Sequence, residues 1–158
     1  DLKDAGRRTI KAFESNSRFF HCEFFVLNED KEGLGKKGDI FGLEVNMRPP
    51  GGYSPDMMNF ANDIDVYQIW ANMVCYDKGY FDPEQRPYTC VYASRRRGSE
   101  YEHSHDDVFA TYGQNILMYE EMPAVLAGAM GDFAYMARFT TEEAALAYVD
   151  YVLKKKVG

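Results

Sequence analysis

The chain has 158 residues, 46% hydrophobic and 15% aromatic, enough for one globular domain of ordinary size with a buried core. Eighteen Lys and Arg stand against 25 Asp and Glu, and the resulting net charge of -7 opposes general attraction to nucleic acid or to an anionic membrane. Small-molecule partners are the expectation that remains.

Residues 2 to 14 carry Leu2, Ala5, Ile10 and Phe13 as an apolar stripe, which predicts a helix. Residues 18 to 27, RFFHCEFFVL, are dominated by aromatic and β-branched types and suit a buried strand. The polar, glycine-punctuated stretch from 28 to 38 returns the chain into a second strand over 39 to 47, which makes a hairpin. Its GLGKKG segment is no P-loop, because Lys37 stands where Ser or Thr is needed and a strand follows instead of a helix. PPGG at 49 to 52 reads as a rigid turn that ends the strand. Helical spacing returns over 55 to 61 and 63 to 75, with Val66, Ile69, Trp70 and Met73 as the core stripe of the longer piece, and Met57, Met58 and Phe60 as packing residues.

After a loop containing Pro83 and Pro87, strands are expected near 88 to 96, 115 to 120 and 132 to 139, with a short helix at 105 to 112. Thr140 followed by Glu143 predicts a capping box ahead of a last helix whose C-terminal end carries Lys154, Lys155 and Lys156. The fold class is α+β, an antiparallel sheet with packed helices. Two local runs have competing readings. HSHDD at 103 to 107 is either a metal site or a strand end followed by a helix N-cap. The arginines at 95 to 97 either grip an anion or guard a strand edge against aggregation, and the guard is favoured. Cys22, Cys75 and Cys90 form neither a CxxC pair nor a disulfide framework, no apolar run approaches the roughly 18 residues of a membrane span, and DLKDAGRRTI has no signal-peptide pattern. A soluble, cytoplasmic protein is expected.

The hairpin holds the chemistry. Glu44, Asn46 and Arg48 are spaced i, i+2, i+4, which in an extended chain puts all three on one face and Phe41, Leu43 and Val45 on the other. Glu23 shares a face with His21 and Phe25, and antiparallel pairing can set it beside Glu44. Like charges directly opposite on a sheet call for a cation between them. Two carboxylates and the amide oxygen of Asn46 are hard ligands that suit Mg²⁺ or Mn²⁺, and Arg48 adds a fork for phosphate or carboxylate. The alternative is that Glu23 and Glu44 are solvated on the open face of the sheet.

FHCEFF, with Glu23, and LEVNMRPPGG, with Glu44, Asn46 and Arg48, together resemble the ATP-grasp superfamily, in particular its carbamoyl-phosphate-synthase-like branch. The likeness is to the C-terminal half of the grasp and covers about residues 1 to 75; residues 76 to 158 are then an α+β extension packed on it, with no family motif assigned. The resemblance implies a Mg²⁺–ATP site built from Glu23, Glu44 and Asn46. It also implies an activity: part of an ATP-dependent carboxylate–amine ligase that works through an acyl phosphate, with Arg48 holding the transferred phosphoryl group or the acceptor carboxylate. Its substrates would be ATP, a small carboxylate and an amine. A preceding half of the grasp, in the same or another chain, is expected, because no adenine and phosphate lobe fits ahead of Asp1; the 158-residue chain alone is expected to be inactive. A homo-oligomer is compatible with this reading. A non-catalytic binding or assembly module that retains the fold is the reading from a different class.

Overall fold

A computed structural model describes residues 1 to 82 and 85 to 156. Pro83, in the expected two-proline loop, lies outside the described residues. The elements in chain order are α1 (Leu2–Ala12), β1 (His21–Val26), β2 (Ile40–Asn46), α2 (Ser54–Asn62), α3 (Val66–Tyr76), β3 (Thr89–Arg95), α4 (His105–Tyr112), β4 (Ile116–Glu121), α5 (Ala124–Met130), β5 (Phe133–Phe139) and α6 (Glu142–Leu153). The fold is α+β with antiparallel sheets, as the periodicities predict. The chain forms two compact units, Asp1–Pro55 with Val66–Phe81 and Asp56–Asp65 with Asp82–Gly158.

The first unit contains α1, the β1–β2 hairpin and α3. Asp1 caps α1 by accepting from the Asp4 amide at 2.9 Å. The hairpin connection is closed by a Lys31–Gly35 bridge, and Gly33 and Gly38 supply the positive φ that its turns require. Ala5 and Val66 are buried, but Phe13, Phe25, Leu43 and Tyr76 are exposed. Trp70, expected in the core stripe of α3, is 47% exposed. The stripe from Val66 through Ile69 to Met73 is half-buried to buried, and Trp70 falls off its edge.

The second unit holds the main core. Three antiparallel strands run in the order β3-β5-β4, so the last strand in sequence is the central one. The central position explains the composition of β5: Ala134, Tyr135, Met136, Ala137 and Phe139 are all buried. α6 lays Ala145, Tyr148 and Val152 onto that sheet, together with Val108 of α4. Tyr112, Phe139 and Tyr148 meet edge-on or tilted, with ring centroids 5.0 to 6.1 Å apart, the favoured arrangement for aromatic pairs.

Three local expectations are corrected. The N-cap of α6 is Thr141, not Thr140; its hydroxyl accepts from the Ala144 amide at 3.2 Å, and the helix ends at Leu153, so the lysines lie at and beyond its C-cap. The arginines at 95 to 97, at the end of the edge strand β3, are tied to other parts of the unit and not merely solvated along the edge. Arg95 is buried, Arg96 donates to the Ala127 and Gly128 carbonyls, and Arg97 pairs with Glu121 and Asp132. Helix α5 was not expected from the sequence, because AVLAGAM contains a mid-helix glycine and its N-cap Pro123 makes no side-chain cap bond. In HSHDD the capping reading holds. Ser104 and Asp107 form a reciprocal capping box at the start of α4, while His103 stacks on Tyr151 and His105 bonds Tyr135.

Candidate functional site

The candidate site lies at the open end of the hairpin, in the first unit. Register sets His21 opposite Asn46, Cys22 opposite Val45 and Glu23 opposite Glu44, and these are the pairs that the antiparallel alignment of the two sequences permits. Cross-strand partners share a face. His21, Glu23, Glu44 and Asn46 therefore form one polar cluster, with Arg48 two residues past the end of β2.

A bulge follows at once. Glu23 pairs with Glu44 but Phe24 pairs with Gly42, so Leu43 is the extra residue of β2. The bulge reverses the alternation beyond it and puts Phe41 opposite Phe25, on the side of Glu23. The expected division of β2 into one oily and one polar face is thus corrected. The face that carries the carboxylates continues into an aromatic pair. The sequence signal that could have marked the bulge is Gly42, an isolated glycine inside the strand next to Leu43.

The hydrogen bonds of the cluster are specific. Asn46 Nδ2 donates to Glu44 Oε1 and to His21 Nε2, the latter at 3.0 Å. His21 Nδ1 lies 3.4 Å from the Arg48 carbonyl, so the tautomer protonated on Nδ1 satisfies both ring nitrogens. His21 Nε2 is also 3.7 Å from Glu23 Oε1. Arg48 donates through Nη1 to the Pro49 carbonyl at 3.1 Å, which folds the guanidinium back on the RPPGG turn. Glu23 and Glu44 are exposed, while His21 and Asn46 are half-buried. The half-buried pair positions the two carboxylates.

The sequence alone places His21 on the face of Glu23 and no further. Its contact with Asn46 makes it part of the cluster, and the signal for it was the same period-2 alternation that placed Glu23. Among the described residues no group of three or more His, Cys, Asp or Glu is arranged to hold a metal. The donor set is two carboxylates and an amide. It fits a hard divalent cation that draws further oxygens from water or a phosphate. Fit requires the Asn46 amide to turn its oxygen toward Glu44, where its nitrogen now donates.

The mixed architecture, with its antiparallel hairpin followed by helices and a second sheet, is similar to part of a solved enzyme structure. That structure is a phosphoribosylglycinamide synthetase from Anaerococcus prevotii, matched with a TM-score of 0.51, 12% identity and 91% of this chain covered. The likeness is one of fold. The chain spans 37% of the length of that synthetase. No family model matches the chain, and no curated sequence matches it.

Proposed function

We propose that this chain contributes the metal–nucleotide side of an ATP-dependent carboxylate–amine ligase. The observation that carries the reading is the register of β1 and β2, which sets Glu23 opposite Glu44 with Asn46 hydrogen-bonded beside it. The fold likeness to a synthetase supports the same class. Glu23, Glu44 and Asn46 would hold Mg²⁺ or Mn²⁺, and that ion would supply charge neutralisation at the phosphates of bound ATP. Arg48, released from Pro49, offers two parallel donors to a phosphoryl group or an acceptor carboxylate. His21 holds Asn46 in place through Nε2 and is a positioning residue. The substrates proposed are ATP, a small carboxylate and an amine.

One observation favours a second reading, a non-catalytic module of the same fold. The Asn46 amide already satisfies Glu44, so the cluster is a closed hydrogen-bond network as it stands. A titration with Mn²⁺ separates the two. The ligase reading expects paramagnetic broadening of backbone amide NMR signals to begin at residues 21 to 24 and 43 to 46, to strengthen when ATP is added, and to disappear in Glu44→Gln. Broadening that starts elsewhere, or that Glu44→Gln leaves unchanged, would remove the metal reading and leave the module.

A further inference from the structure

The second unit contains a cavity of about 270 Å³, lined by Arg95, Ser99, Tyr101, His105, Tyr119 and Tyr135 among others. Arg95 sets its chemistry. The residue is 5% exposed, its Nε donates to the Val152 carbonyl at 2.8 Å, and its guanidinium carbon lies 4.6 Å from the Tyr101 ring centroid and 5.6 Å from that of Tyr135. Nη2 is buried and has no hydrogen-bond partner among the described residues. The two arginines beside it are differently placed. Arg97 is exposed and ion-paired with Glu121 and Asp132, and Arg96 is exposed and forked onto the Ala127 and Gly128 carbonyls. Arg95 alone of the three is buried, and its hydrogen-bond and ring partners among the described residues are neutral, with the exposed Asp107 carboxylate acting on it only through space.

A buried cation without a counter-charge in contact is strongly unfavourable, and one helix-end carbonyl, two ring faces and the exposed Asp107 carboxylate acting through space offset only part of its desolvation. An anion in the cavity would offset the rest. The walls say what else it carries. Tyr119 and Tyr135 have ring centroids 4.9 Å apart, and the His105 ring packs 4.6 Å from Tyr119 while its Nδ1 bonds the Tyr135 hydroxyl at 3.1 Å. These are flat surfaces held in fixed orientation, and they accept a flat body. The volume lies below the roughly 300–1,000 Å³ typical of drug-sized ligands, which limits that body to about one ring.

We propose that this cavity binds a small organic anion, a single-ring carboxylate or phosphate monoester, with its charged group on Arg95 and its ring among Tyr101, Tyr119 and Tyr135. The proposal is independent of the hairpin cluster, and either can fail without the other.

The test uses the whole chain and three probes: benzoate, phenyl phosphate and the neutral benzyl alcohol. Binding is followed by NMR at the Arg95 side-chain Nε–H and by calorimetry. The expected result is saturable binding of benzoate or phenyl phosphate with a Kd of about 1 mM or tighter, a shifted Arg95 Nε–H signal, and no response to benzyl alcohol. Whichever anion binds more tightly assigns the group as carboxylate or phosphate. Arg95→Met should weaken that binding at least tenfold. Ser99→Trp, which leaves Arg95 in place and puts bulk on the cavity wall, should do the same, and it keeps the test decisive if Arg95→Met fails to fold. An Arg95 signal that ignores both anions, or equal binding by wild type and Ser99→Trp, would overturn the proposal. Arg95 would then be a structural residue that anchors the end of α6, with its Nη2 met by a buried water.

Discussion

At the scale of single residues, the least settled atom of the core is a hydroxyl. Tyr148 is fully buried between Tyr112 and Phe139, and its Oη has no hydrogen-bond partner among the described residues. A buried hydroxyl without a partner costs about 1–3 kcal/mol, so Tyr148→Phe should leave stability unchanged or raise it by about 1 kcal/mol in urea unfolding. A loss of stability would mean that an ordered water satisfies the group. Burial, and then the neighbouring Tyr135, push the Tyr148 pKa well above its ordinary 10.0. A raised folded pKa favours the protonated form in the native state. The associated stability is therefore complete below about pH 10 and is lost as pH rises beyond it, and Tyr148→Phe should make the alkaline limb of Tm against pH shallower. The helix of Tyr148 was legible in the sequence. The orphaned oxygen of that residue was not, because a missing partner is a property of all the elements around it.

Among the elements, α4 shows how local chemistry sets a boundary. Ser104 Oγ accepts from the Asp107 amide at 3.1 Å, and Asp107 Oδ2 accepts from the Ser104 amide at 2.8 Å and from its hydroxyl at 2.7 Å. These bonds, the hydroxyl first and the amide second, hold the Asp107 carboxyl below its ordinary 3.8. A depressed folded pKa gives stability that is present above about pH 4 and lost as pH falls through the folded value. Asp107→Asn should therefore flatten the acid limb of thermal stability, and Ser104→Ala should flatten it as well while costing about 1 kcal/mol at neutral pH. Thermal melts from pH 2 to 7 on both variants check this; an unchanged acid limb in Asp107→Asn would count against the box. Such a motif is readable because its partners are three residues apart. The hairpin register was readable for a related reason: Glu23 and Glu44 lie on short strands joined by one connection. The reach of Arg96 and Arg97 was not, since it depends on partners 24 to 35 residues distant, whereas the bulge at Leu43 had a local sign in Gly42.

For the whole molecule, burial is uneven. In the second unit Ala93, Val108, Tyr135, Ala137, Phe139, Ala145, Tyr148 and Val152 form one core cluster, whereas the first unit buries Ala5 and Val66 and exposes Leu2, Phe25, Trp70 and Phe81. Local opening free energy follows buried apolar contact. Amides of β3 and β5 should exchange with solvent at the rate set by global unfolding, and those of β1 and β2 should exchange at least tenfold faster. Hydrogen exchange read by mass spectrometry tests this; equal protection of both sheets would show that the hairpin is held by more than its own contacts. If the metal–nucleotide reading is right, Mn²⁺ with ATP should slow exchange in β1 and β2 and leave β3 and β5 unaffected.

Helix α5 carries a consequence in time. Seven residues with an interior glycine and no side-chain N-cap bond are far too few to persist as an isolated helix in water. Its last carbonyls, at Ala127 and Gly128, are met by the guanidinium of Arg96 from the far side of a 31-residue interval. The helix is thus completed by a group that reaches it only after β3 has found its place in the sheet. We predict that its contacts form after the folding barrier is crossed, so that in stopped-flow unfolding and refolding Gly128→Ala changes the rate of unfolding and leaves the rate of folding almost untouched.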